Sequence, residues 1–204
     1  MKYTLDLSQK LDVTAPSASG AMVGSPQQQF VAWQPSTWPA APSAVNEEFV
    51  YILKRIFEDS MLVEIKNVID DVHKSQGTLI YRGHVVAVAL MCALDAIASY
   101  GYRGHHVSEF ISAHFRADYH PFANEIYKLH RNSLVHSWNL FEATIYPDDT
   151  KIKSEGGVVA FGLLDFFDVL VQAAGDFLNR LDTDATLQKN TLERYAELKA
   201  TAKA

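Results

Sequence analysis

The chain has 204 residues, 48% of them hydrophobic and 21% charged, with a formal net charge of -6. That length allows one ordinary domain plus a tail, and the composition excludes a disordered chain. The acidic balance argues against a general nucleic-acid coat protein, which would be basic, but leaves room for an enzyme that meets RNA through a small local basic patch.

Residues 1 to about 44 read as an extended or disordered arm rich in Pro, Ser and Ala, almost uncharged after Asp12. Its first residues, Met1 to Leu7, lack the continuous apolar stretch of a secretory signal. Ala15-Pro16-Ser17-Ala18-Ser19-Gly20 has linker composition. Trp33-Gln34-Pro35-Ser36-Thr37-Trp38-Pro39 breaks any helix and is expected to run extended. Its tryptophans would pack the arm onto its own domain or onto a partner, unless the arm is a plain flexible tail.

A helical domain is expected over 45–204. From Asn46, a natural N-cap, Phe49, Ile52, Leu53, Ile56, Phe57, Met61, Ile65, Val68, Ile69 and Val72 recur at three- and four-residue spacing, which predicts a long helix to about Lys74. Gly77 marks the turn after it. A second helix, about Gly83 to Tyr100, is apolar nearly all round and should be central. Its core stretch, Val85 to Ala98, is short for a bilayer crossing and contains Asp95, so no membrane insertion is expected. It carries the sole cysteine, Cys92, which rules out an internal disulfide, reads as a small buried hydrophobe and fits a reducing, cytoplasmic setting.

Gly101 and Gly104 bracket a short connection to a third helix, about Val107 to Tyr119, with Ser108 as its cap. Pro121 fits the first turn of a fourth helix reaching Trp138, with Phe122, Ile126, Leu129, Leu134 and Val135 on its apolar face. Residues 139–160 break the pattern. Phe141–Tyr146, Pro147-Asp148-Asp149 and Lys151–Val159 predict a small inserted β-hairpin or a long loop. A fifth helix, about Phe161 to Leu181, has a stripe through Leu164, Phe167, Val171, Ala174 and Leu178. A more polar helix covers about Asp184 to Lys199. The fold class is therefore all-α, a bundle of about five to six helices.

The segment that could carry chemistry closes the fourth helix: His130-Arg131-Asn132-Ser133-Leu134-Val135-His136. An arginine followed by a histidine at this spacing is a weak pattern alone. Context sharpens it, since Asn132 follows the arginine directly and an apolar pair precedes the histidine. RNA can be cleaved without a metal if a base takes the 2′-hydroxyl proton and an acid protonates the leaving 5′-oxygen. Histidine suits either role, with an unperturbed pKa of about 6.5. A guanidinium can hold the phosphate and stabilise transition-state charge with two donors in a fork, and the Asn132 amide can position the phosphate or a hydroxyl. Asn132 and His136 share a helix face, whereas Arg131 and His136 sit about 140° apart on an ideal helix. A long side chain, an unwound turn or a two-fold dimer could reunite them. A purely structural reading stands beside this one. Arg131 would pair with Glu125 or Asp95, and His136 would bond a helix-end carbonyl.

With Tyr127, Arg131, Asn132, Leu134 and His136 in this order, and Leu94-Asp95-Ala96-Ile97-Ala98-Ser99-Tyr100 upstream, residues 46 to 182 resemble the HEPN superfamily of helical-bundle domains. The resemblance implies a metal-independent endoribonuclease or an RNA-binding relative in a defence or toxin–antitoxin setting. RNA would be the substrate or ligand, and one active site would be shared across a homodimer. It assigns Arg131 to phosphate contact, Asn132 to positioning and His136 to acid–base work, with no cofactor and no metal. The competing class is a non-catalytic interaction module that dimerises or binds an antitoxin or another protein.

Other constellations carry less. His105, His106, His114, His120, His130 and His136 include no His-Glu-x-x-His. His106 and His114 could share a face with Glu109 nearby, but surface or loop histidines are the plainer expectation. No Gly-x-Ser-x-Gly elbow occurs, and Gly156-Gly157 lacks the Lys-Ser or Lys-Thr of a phosphate loop. Asp165 and Asp168 suit the positive end of the fifth helix. The near-repeats Tyr81-Arg82-Gly83-His84 and Tyr102-Arg103-Gly104-His105 read as two glycine turns or a local anion site.

Overall fold

In the computed structural model, residues 2–8, 38–74, 79–104, 106–129 and 143–202 are described. Helix α1, Glu47–Phe57, starts where the Asn46 side chain accepts from the Phe49 amide at 2.8 Å, with Glu47 and Glu48 in its first turn. Phe49, Val50, Leu53, Ile56 and Phe57 form its buried face. One π-helical turn, Glu58–Leu62, joins it to α2, Val63–Lys74, so the expected long helix is a single rod with its register shifted once. Glu58 lies in that turn. It is buried, paired with Lys54 at 2.7 Å, and accepts from the Asp6 amide.

Helix α3, Leu79–Gly101, is the core helix expected from its apolarity. It packs against α2, α4 (His106–His114), α6 (Leu163–Arg180) and α7 (Ala185–Thr201). Leu90, Met91, Leu94, Ile97 and Ala98 are fully buried, each side chain of Leu or Ile size contributing about 1.5–3 kcal/mol. Its Gly83–Gly101 stretch, mean hydropathy 1.6, is long and apolar enough to cross a bilayer by length and composition. Half of that stretch is buried inside the protein. Cys92 departs from the sequence expectation, because it sits on the outer face of α3 and is exposed.

The third helix is shorter than the periodicity predicts. Ser108 is buried inside α4 rather than capping it. The chain then makes a 3₁₀ helix, Ala117–Phe122, which holds Pro121, before α5, Ala123–Lys128. Proline has no amide hydrogen and fixes its own φ, which a tight turn tolerates better than a helix interior does. Ala123, Ile126 and Leu129 then face the core.

The inserted segment forms a three-stranded sheet, where a small hairpin or a long loop was expected. Strand β1, Ala143–Tyr146, runs parallel to β3, Val158–Gly162, and β2, Lys153–Glu155, pairs antiparallel on the other side of β3. Gly156 and Gly157, at φ 60° and 86°, make the β2–β3 turn, and glycine suits that left-handed pair. Phe161 belongs to β3 rather than to the helix that follows. That helix, α6, buries Phe166, Val169, Leu170, Ala173 and Phe177 as well as Phe167, Ala174 and Leu178. Its covered face is therefore wider than the stripe read from spacing. Asp184 caps α7 by accepting from the Thr186 and Leu187 amides at 2.9 and 3.0 Å.

Two outlying pieces lie on this body. Residues 2–8 run without regular structure along α6, where Asn179 accepts from the Lys2 and Tyr3 amides at 2.7 and 2.9 Å and returns a hydrogen bond to the Tyr3 carbonyl. Tyr3, Leu5 and Leu7 are partly buried against the core. Trp38 is buried and stacks on Tyr195 with ring centroids 5.3 Å apart, while the Tyr195 hydroxyl donates to the Pro39 carbonyl.

Candidate functional site

Helix α5 delivers the chain to the segment of interest. Leu129, fully buried, and Ala143, at the start of β1, root the two ends of 130–142 in the body of the protein. On α5, Tyr127 is half-buried, and Glu125 and Lys128 are exposed. Arg131, Asn132 and His136, with His130, Ser133, Leu134 and Val135, lie outside the described residues. Of the two carboxylates weighed as partners for Arg131, Asp95 accepts a hydrogen bond from His106 Nε2 at 2.7 Å.

Three polar clusters in the described part hold residues singled out in the sequence. The first centres on Asp165, which is 2% exposed. The Arg116 guanidinium forks onto both its oxygens at 3.1 and 2.8 Å, the Tyr119 hydroxyl donates at 3.0 Å, and Lys151 donates as well. Burial works against the charged carboxylate, but Arg116, Lys151 and Tyr119 outweigh it and hold Asp165 below the usual aspartate range. Asp168 moves the other way, raised by burial and by the nearby charge of Asp165. Favourable placement at the start of α6 is therefore only part of what Asp165 does. It ties the 3₁₀ helix, the β1–β2 connection and α6 together.

The second cluster centres on His114, whose side chain is 0% exposed. This corrects the expectation of surface histidines. Its Nδ1 lies 2.6 Å from Asp176 and its Nε2 lies 2.8 Å from the Tyr102 hydroxyl. Burial lowers its pKa despite the hydrogen bond to Asp176, so the ring is neutral at pH 7. Nδ1–H then donates to the carboxylate and Nε2 accepts from Tyr102. Burial raises the Tyr102 phenol to about 12. Arg180 supplies the counter-charge to Asp176 at 2.9 Å.

The third cluster is His106, between Asp95 and the Gly104 carbonyl. Both neighbours accept, so both ring nitrogens must donate, and the Asp95 hydrogen bond raises its pKa above the ordinary value. His106 and His114 thus serve separate partners. No group of three or more metal-ligating side chains occurs among the described residues.

No family model, curated protein or solved structure matches the chain.

The two near-repeats also separate. Residues 81–84 lie inside α3, not at a turn. Gly104, at φ 70°, does turn the chain, and Arg103 beside it reaches Glu193 and Glu197 on α7 at 3.3 and 3.2 Å. That guanidinium is committed to carboxylates rather than to an anion site. Local spacing could not reveal the Asp165 cluster, because Arg116 lies 49 residues from its carboxylate and Lys151 lies 14 away. The one available signal was a pair of aspartates at a helix start.

Proposed function

We propose that the chain is a HEPN-like protein that engages RNA through Arg131, Asn132 and His136 and cleaves it without a metal. The observation that carries this reading is the Tyr127, Arg131-Asn132, Leu134, His136 pattern in a mostly helical chain, with Arg131 to His136 between the core-rooted residues Leu129 and Ala143. Exposed Lys128, just ahead of His130 and Arg131, adds local positive charge to an otherwise acidic chain.

In this reading His136 takes the proton of a 2′-hydroxyl. The 2′-oxygen attacks the adjacent phosphorus, a 2′,3′-cyclic phosphate forms, and the P–O5′ bond breaks. The leaving oxygen needs a proton, and with one His136 per copy a two-fold dimer supplies a second imidazole to give it. Arg131 grips the phosphate oxygens as charge builds on them, and Asn132 orients the phosphate or a hydroxyl.

The test is cleavage of a mixed single-stranded RNA by the full chain in excess chelator, beside His136→Ala and Arg131→Ala. Loss of a positioned acid–base group should slow cleavage by about 100-fold or more. Cleavage unchanged in both variants would place the activity elsewhere. RNA retention without cleavage, abolished by Arg131→Ala, would mark a binding-only relative.

A further inference from the structure

A cleft of about 460 Å³ opens between α2, α3 and α7, within the roughly 300–1,000 Å³ typical of small-molecule pockets. Small side chains on α3 make room for it: Ala89, Cys92, Ala93 and Ala96. Met61 and Leu198 make the lining apolar from the two sides. From Ala89 to Ser99 the α3 wall runs about 15 Å at 1.5 Å per residue. Space lined this way holds water poorly and favours an apolar occupant.

The ends of the cleft differ in charge. At the Ser99 end, Arg194 Nε donates to Ser99 Oγ at 3.3 Å, and Nη1 lies 3.6 Å from Glu197. A guanidinium has five donors, more than these two contacts use. Tyr100 lines the same end with its ring buried, and its hydroxyl can donate to an acceptor held in the cleft. Glu64 stands toward the other end, where it also lines a second hollow with Val68 and Val85. An anion is therefore attracted to the Arg194 end and repelled from the Glu64 end.

We propose that this cleft binds a small monocarboxylate with an apolar chain, its carboxylate accepting from Arg194 and Tyr100 and its tail lying along α3 toward Glu64. Cys92, the only cysteine, is exposed and lines the cleft, so an occupant must shield its thiol. The site is independent of the RNA reading and can stand or fall without it.

The probe is decanoate, and the readout is the rate of Cys92 alkylation by N-ethylmaleimide in the full chain. Saturating decanoate should slow alkylation several-fold. The half-protective concentration should fall about fourfold per added methylene from hexanoate to decanoate. Arg194→Gln should raise it about tenfold or more and Tyr100→Phe about threefold to tenfold, both with unchanged far-UV circular dichroism. On the unmodified protein, decanol and decylamine should protect at least tenfold less well. Equal protection by decylamine or decanol, or none by decanoate, would overturn the assignment. So would an unchanged response in Arg194→Gln, or a Cys92 already unreactive without ligand because protein fills the cleft.

Discussion

His106 and His114 stand at the two ends of α4 and are pushed in opposite directions by their neighbours. Asp95 and the Gly104 carbonyl both accept from His106, so its charged form is favoured in the folded protein and its pKa is raised. Its stabilisation is fully present below the unfolded value of about 6.5 and fades as pH rises through the higher folded value. Burial lowers the pKa of His114, so its contribution is present above about 6.5 and is lost as pH falls through the folded value. An NMR titration of the imidazole C–H signals should therefore show His106 titrating above 6.5 and His114 below it. The reverse order would mean that the hydrogen-bond assignments are wrong. A single-residue feature set by near neighbours was readable in advance: Asn46 sits one residue ahead of α1 and caps it, whereas Asp184, expected as the first residue of the last helix, caps α7 instead. The buried role of Asp165 was not, because Arg116 and Lys151 come to it from distant elements that only the finished fold brings together.

Helices whose apolar residues recur at helical spacing were legible as elements, α1–α2 and α6 among them, while α3 was legible by being apolar nearly all round and α7 as a more polar helix. The inserted sheet was legible only as an interruption. A hairpin announces itself through a local turn, as Gly156-Gly157 does, but the parallel partner of β1 lies beyond the whole of β2 and leaves no local signature. What holds that partner is a close backbone approach at Gly162. Its amide donates to the Thr150 carbonyl at 2.8 Å, and the next helix begins with Leu164 donating to the Asp148 carbonyl at 3.0 Å. A Cβ at position 162 would come within 2.3 Å of the Asp148 oxygen and 2.5 Å of the Thr150 nitrogen. Backbone atoms cannot swing aside as a flexible side chain can. Gly162→Ala should therefore cost about 1–3 kcal/mol in urea unfolding, the range for overpacking a tight site. A cost indistinguishable from zero would mean that the 148–150 connection is not seated on β3.

Across the whole molecule, α3 organises a body of helices, and the small sheet adjoins that body through β3 and α6. The described ends of the N-terminal region, 2–8 and 38–44, lie against that body, Tyr3 by way of Asn179 and Trp38 by way of Tyr195. The helical class followed from apolar periodicity, and the central place of α3 from its being apolar nearly all round. The RNA reading rests on a short motif between Leu129 and Ala143, and on chemistry that needs only a base, an acid and a phosphate grip. That chemistry leaves a mark on its product. Attack by the neighbouring 2′-oxygen gives a 2′,3′-cyclic phosphate at each new 3′ end, while attack by water on the phosphorus to release the 3′-oxygen leaves a 3′-hydroxyl. The most direct measurement is the mass of the 3′ ends produced when the full chain cuts RNA in excess chelator. Cyclic phosphates that disappear with His136→Ala are expected; 3′-hydroxyl ends, or cyclic ends made equally by that variant, would rule out His136 as the acid–base group of a 2′-hydroxyl attack.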